Sequence, residues 1–203
     1  MGASGSSDVV RTPNRRSVMT TAVAVLAIFV AALASPAAAQ EEPAQEYEIK
    51  AAFLYNFTKF VQWPPEAFPD DRAPIVLAVL GPDPFGSILD DIVTGREVGG
   101  RPLIVKHFDR SVELPRCHVL FVSAQNAIDF ARQARTAASR HILTVGETEA
   151  FAETGGIIQF VTHDRKVRFR INPMAAKESG LNISSRLLNL AEVVGPLPNG
   201  ANK

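Results

Sequence analysis

The chain alternates apolar runs with amphipathic stretches from position 47 onward. Ile75–Leu80 and the Val119–Val122 core of His118–Ser123 are apolar at every position, and Ile157–Val161 is apolar but for Gln159. Runs of this length, bounded by Gly, Pro and polar residues, predict strands buried on both faces. Two more strands are expected at Pro102–His107 and Ile142–Val145. Lys166–Ile171 alternates instead, with Val167, Phe169 and Ile171 on one face and Lys166, Arg168 and Arg170 on the other. Joined to Ile157–Val161 through the polar turn Thr162–Arg165, it predicts a hairpin of one buried and one half-exposed strand.

Helical periodicity fills the intervals. Tyr47–Trp63 places Ile49, Phe53, Leu54, Phe57, Phe60 and Val61 on one apolar arc, and Pro64-Pro65 ends it. Tyr55, Thr58, Lys59 and Gln62 are expected on the opposite face, and Asn56 falls inside the arc. A buried Asn needs partners or costs about 1–3 kcal/mol, so Asn56 is expected to tie the helix to a neighbouring backbone rather than meet a ligand. Further helices are expected over Pro84–Val93 with Asp83 as cap, Asn126–Ala138 and Thr148–Glu153. Asn172 caps a short helix begun by Pro173 and closed at Gly180, and a last helix runs from Ser184 with Ile183, Leu187, Leu190, Ala191 and Val194 inward. Strands alternating with helices give an α/β fold: a single layered domain with a mixed, mainly parallel sheet flanked by helices, closed by a hairpin plus helices. Trp63, Gly155, Gly156 and Asn172 join Asn56 as expected structural residues.

The first 39 residues stand outside this pattern. Arg11, Arg15 and Arg16 precede the apolar stretch Val18–Ala34 and a small-residue site at Ala37-Ala38-Ala39. That order predicts a cleavable signal peptide over 1–39, in preference to a transmembrane anchor. The Arg15-Arg16 pair leaves the twin-arginine route open beside the general secretory one. A polar leader at 40–46, a domain over 47–195 and a flexible tail at 196–203 complete the expected layout. Without the signal peptide 164 residues remain with a net charge of about −2, which excludes a nucleic-acid footprint and a cationic membrane surface.

Candidate chemistry is sparse. Cys117 is the only cysteine; it forms no intrachain disulfide and is expected to pack as a small hydrophobe. His107, His118, His141 and His163 lack metal-ligand spacing, although His118 and His141 both begin strands. Gly81-x4-Gly86 lacks the Lys-Ser/Thr of a phosphate loop, and Asp90-Asp91 point about 100° apart on a helix. No catalytic residue, cofactor site or metal site is expected, and the protein is not expected to be an enzyme. The excess lies elsewhere: Arg168 and Arg170 share a strand face, and Leu181 and Leu188 exceed what one core stripe needs. These four are the expected partner-binding residues.

Three segments carry a resemblance. Tyr47–Phe57 with Lys59-Phe60-Val61-x-Trp63-Pro64, Cys117–Ser123, and Gly155–Ile158 through Phe169–Asn172 and Leu187-Leu188-x-Leu190-Ala191 resemble the YfiR-like periplasmic proteins, over about residues 46–194. The resemblance implies a dimeric periplasmic regulator that binds the periplasmic part of an inner-membrane diguanylate cyclase and represses it, restraining cyclic di-GMP and biofilm growth. With Cys117 alone, disulfide-based redox control does not carry over, and the partner's identity does not transfer. The alternative is a periplasmic small-molecule binding protein without catalytic activity, using the crevice at the strand ends.

Overall fold

A computed structural model describes residues 38–109 and 114–195. Residues 1–37 of the expected signal peptide, and the tail at 196–203, lie outside the described residues. Contacts divide the chain between Glu42 and Pro43, and the fold below is that of the second unit, Pro43–Lys203.

Strand β2 (Ile75–Leu80) lies near the middle of the sheet because all six of its residues are buried. Ile75, Leu77 and Val79 face one core while Val76, Ala78 and Leu80 face another. β2 pairs in parallel with β4 (Arg101–Phe108) and with β5 (Val119–Val122). Next come β6 (Leu143–Gly146) and β7 (Ile158–His163), both parallel. β8 (Lys166–Ile171) returns antiparallel to β7, β10 (Glu192–Val193) pairs in parallel with β8, and β3 (Glu97–Val98) forms a hairpin with β4. Among the described residues the sheet is eight-stranded, ordered β10-β8-β7-β6-β5-β2-β4-β3. The mixed, mainly parallel α/β architecture expected from the sequence is the one observed. A separate small ladder joins β1 (Val61–Gln62) to β9 (Asn182–Ile183).

Helix α1 (Ala38–Phe60) and α2 (Ile88–Val93) cover one face, contributing Leu54, Phe57 and Leu89 to its core. Helix α3 (Ala127–Ser139) covers the other through Phe130 and Ala137. The C-terminal part holds α4 (Pro173–Glu178) and α5 (Ser185–Leu188). Asn172 caps α4 as expected: its Oδ1 accepts from the Ala175 N–H at 3.0 Å, and its Nδ2 donates to the Ala152 carbonyl at 2.8 Å.

Several expectations are corrected. The buried face of α1 is Lys50, Ala51, Leu54, Phe57 and Thr58, while Ile49 is 40% exposed. Thr58 enters the core because its hydroxyl donates to the Tyr55 carbonyl at 2.6 Å and leaves no orphan. Asn56 is only half-buried, and its Oδ1 accepts from Lys59 Nζ at the surface; it is not the buried tether expected. The helix before β3 begins at Ile88 instead of Pro84, since Asp83 Oδ1 accepts from the Phe85 N–H and closes a turn there. Thr148–Glu153 is a run of turns with Ala150 at φ +59°. Packing decides it: the Phe151 ring presses on Gly156 so closely that a Cβ there would lie 2.2 Å from it. Beside it, Gly155 sits at φ +105°, where a side chain would be strained. The last helix stops at Leu188, because the Val194 N–H donates to the Ile171 carbonyl and draws the chain into the sheet as β10.

Candidate functional site

The parallel strands end near a cluster that hydropathy alone conceals. Glu147 follows β6 directly and meets Lys50 of α1, with Nζ 2.7 Å from Oε2. Glu46, one turn earlier on the same helix face, approaches Nζ at 2.5 Å. Tyr47 donates its hydroxyl to Glu147 at 3.2 Å, and Thr162 of β7 donates to Glu46 at 3.0 Å. The ammonium also lies 4.5 Å from the Tyr47 ring centroid and 5.9 Å from that of Phe160. Lys50 is 4% exposed, so its charge is desolvated and matched by two carboxylates.

The electrostatics follow from that arrangement. Burial pushes the Lys50 pKa down, but hydrogen bonds to Glu147 and Glu46 outweigh it and hold the ammonium above its ordinary range. Burial pushes the Glu46 carboxyl up, and Lys50 with Thr162 overcomes it, leaving the carboxyl below its usual value. Burial, then the Glu147 charge, raises the Tyr47 phenol. A hollow of about 460 Å³ opens beside these residues against Gln159, Phe160 and Val161. Every polar group of the triad is paired with a neighbour, so the arrangement is suited to fixing α1 against β6 and β7 and presenting a defined polar surface. At the neighbouring β2–β5 junction, where the strand order reverses and α/β folds place ligands, Gly81 packs closely against Ser123 and Asn126. A Cβ on Gly81 would lie 2.1 Å from Ser123 Oγ and 2.2 Å from Asn126 Oδ1.

The residues expected to bind a partner are not brought together. Leu181 is buried at 6%, and Leu188 packs partly against the core. Leu190, expected in the core, is 73% exposed, because α5 ends before it. Arg170 is held by Glu153 at 2.6 Å and by Glu192 at 3.0 Å, which makes it an anchor for β10. Arg168 is exposed on the same strand face. Trp63 meets the His118 ring edge-on at 6.2 Å, and its buried indole N–H has no partner among the described residues. Cys117 is buried and its thiol is pushed up to about 12, the opposing charges of Arg140 and Lys106 notwithstanding, so it is an inert hydrophobe. Lys50 and Glu147 escaped the sequence reading. Lys50 carried two advance signals, its place on the stripe of Leu54, Phe57 and Val61 and the Glu46–Lys50 pair at i, i+4 on the first helix; Glu147 carried none.

No helix among the described residues is long and apolar enough to cross a membrane, and no group of three or more His, Cys, Asp or Glu among them could hold a metal ion. The family model described as YfiR/HmsC-like matches residues 47–192. No curated protein matches the chain. Among solved structures, the ABC domain in complex with L-Trp from Streptococcus pneumonia is similar at 13% identity with a TM-score of 0.44. That match covers 59% of this chain, and the chain spans about half, 55%, of that structure.

Proposed function

The chain belongs to the YfiR/HmsC-like family of periplasmic regulators of cyclic di-GMP signalling, and from that premise we propose that it acts by contact. It binds the periplasmic domain of an inner-membrane signalling protein, a diguanylate cyclase, and holds that enzyme inactive, as a homodimer exported by a cleavable signal peptide. The observation that carries this reading is the family match itself, which runs from the Lys50 cluster to β10.

The contact surface we propose is the β8–β10 edge of the sheet. Leu190 at 73% and Val193 at 37% exposure lie along that part of the chain, Arg168 is exposed on β8, and β10 reaches β8 only at Arg170 and Ile171. Exposed apolar side chains rimmed by arginine favour a partner bearing carboxylates. Arg168 keeps its proposed role, and Leu190 takes the place that Leu181 leaves by being buried. The test is the double variant Arg168→Glu, Leu190→Glu, followed by thermal melting and by cyclase activity in membranes carrying the full-length cyclase. Retained folding with lost repression supports the surface; retained folding with parental repression contradicts it. The hollow between Lys50, Glu147 and Phe160 favours a second reading, a small-molecule binding protein without catalytic activity. Parental repression by that double variant, together with ligand binding lost on changing Phe160, would favour this second reading.

A further inference from the structure

A larger cleft, of about 660 Å³, opens at the opposite end of the sheet, where β2, β5 and β6 begin. Part of its wall is apolar, with Phe68, Pro69 and Pro74 presenting accessible surface to it. His118 is built into one side: its ring stacks on Phe68 with centroids 4.3 Å apart. The Val76 N–H donates to Nδ1 at 3.0 Å, and Nε2–H donates to the Ala67 carbonyl at 3.2 Å. Those two bonds fix a neutral tautomer. His141 Nδ1–H is likewise committed to the Ser179 carbonyl at 2.8 Å, so the two histidines do not form a metal site with Cys117.

The cleft carries cations. Lys106, Arg116 and Arg140 line it against one carboxylate, that of Glu66. Among the described residues, none of the three cations has a carboxylate within ion-pair distance. Arg140 is held in place by Nη1 donating to the Leu114 carbonyl at 2.7 Å, which leaves the rest of its fork available. The whole chain has a formal net charge of zero, so this basic rim is a local feature and not the overflow of a basic protein.

We propose that this cleft binds an amphipathic carboxylate, an acyl or aryl acid. Its carboxylate lies between Arg116, Arg140 and Lys106, and its apolar body lies against Phe68, Pro69 and Pro74. Guanidinium forks match the geometry of a carboxylate, and the volume is that of a small-ligand pocket. A bare inorganic anion would leave the apolar walls unused, and an uncharged apolar molecule would leave three cations unmatched.

Trp63 is the only tryptophan of the chain and contacts His118, so its fluorescence reports on this end of the molecule. The exported protein is titrated with decanoate, hydrocinnamate, decanol and inorganic phosphate, by Trp63 fluorescence and in parallel by calorimetry. Expected is saturable binding of decanoate or hydrocinnamate, at least tenfold tighter than decanol and phosphate, and weakened at least tenfold in Lys106→Glu, Arg116→Glu. Whichever acid binds identifies the body the cleft accepts. Should that double variant fail to fold, Lys106→Gln, Arg116→Gln provides the same comparison. Absence of binding by both acids, decanol or phosphate binding as tightly as the acids, or a folded charge variant that binds like the parent each overturns the proposal.

Discussion

Lys50→Met tests whether the ion triad, and not apolar packing alone, locks α1 to the sheet. The substitution keeps the length and apolar character of the stem but removes the charge. It leaves Glu46 and Glu147, 31% and 17% exposed at their side chains, facing a site without a cation. Breaking a fully buried pair costs about 3–5 kcal/mol. The water access of the two carboxylates lowers this, so a loss of about 2–3 kcal/mol is expected. For a domain of this size that corresponds to a fall in Tm of about 4–12 °C. Thermal and urea melts at neutral pH read it directly. The triple variant Lys50→Met, Glu46→Gln, Glu147→Gln should recover most of the loss, because no uncompensated charge then remains. The gap between Lys50→Met and the parent should also shrink in acid, as pH falls through the lowered Glu46 value and its pair with Lys50 is lost. A Lys50→Met protein melting within 1 °C of the parent, or a triple variant no better than the single one, refutes the reasoning.

Four further outcomes follow. Gly156→Ala places a Cβ 2.2 Å from the Phe151 ring and 2.7 Å from its carbonyl oxygen; overpacking should cost about 1–3 kcal/mol, read by urea melts, with part regained when Phe151→Leu is added. Stability should fall with acidification in two stages. The His118 pKa is lowered by burial from its usual 6.5, so the unfolded chain takes up a proton first and the His118 contribution, full above 6.5, is lost as pH falls toward the lowered folded value. The Glu46 contribution, full above 4.5, is lost below it as its own lowered value is crossed; His118→Gln should flatten only the first stage of a Tm-versus-pH curve. Asn56→Leu should change the unfolding free energy read from urea melts little, by about 0.5 kcal/mol or less, since its partner is the exposed Lys59. Mass spectrometry of the exported protein should find an N-terminus at or near Gln40, whereas an intact Met1 or Gly2 on membrane-bound protein would contradict the signal peptide.

The sheet was legible because its strands are written as apolar runs. Along β2 and β5 both neighbouring cores read successive residues, so continuous apolarity and burial coincide. The Asn172 cap and Gly180 stop are local chemistry and appear where expected. Other features depend on partners distant in sequence. A helical wheel places Lys50 on the stripe of Leu54, Phe57 and Val61, where a lysine looks out of place; Glu147, 97 positions away, joins Glu46 in making its burial tolerable. Thr162–Arg165 reads as a four-residue turn, but β7 and β8 continue to His163 and Lys166. The loop needs only Asp164 and Arg165, both at positive φ without a glycine. The last helix obeys its periodicity on paper, yet the open side of β8 competes for the same residues and takes Glu192 and Val193. That competition turns Leu190 outward, and it moved the proposed contact surface from α5 to the sheet edge.

The central claim is regulation by contact, and cyclic di-GMP itself is its most direct readout. In cells carrying a membrane-anchored cyclase encoded beside this chain, the nucleotide is quantified with the chain present, absent, and retained in the cytoplasm by deletion of residues 2–39. The account predicts a high level without the chain, a low level with the exported chain, and a high level again when export is blocked. A level unchanged by the presence of the exported chain would contradict it.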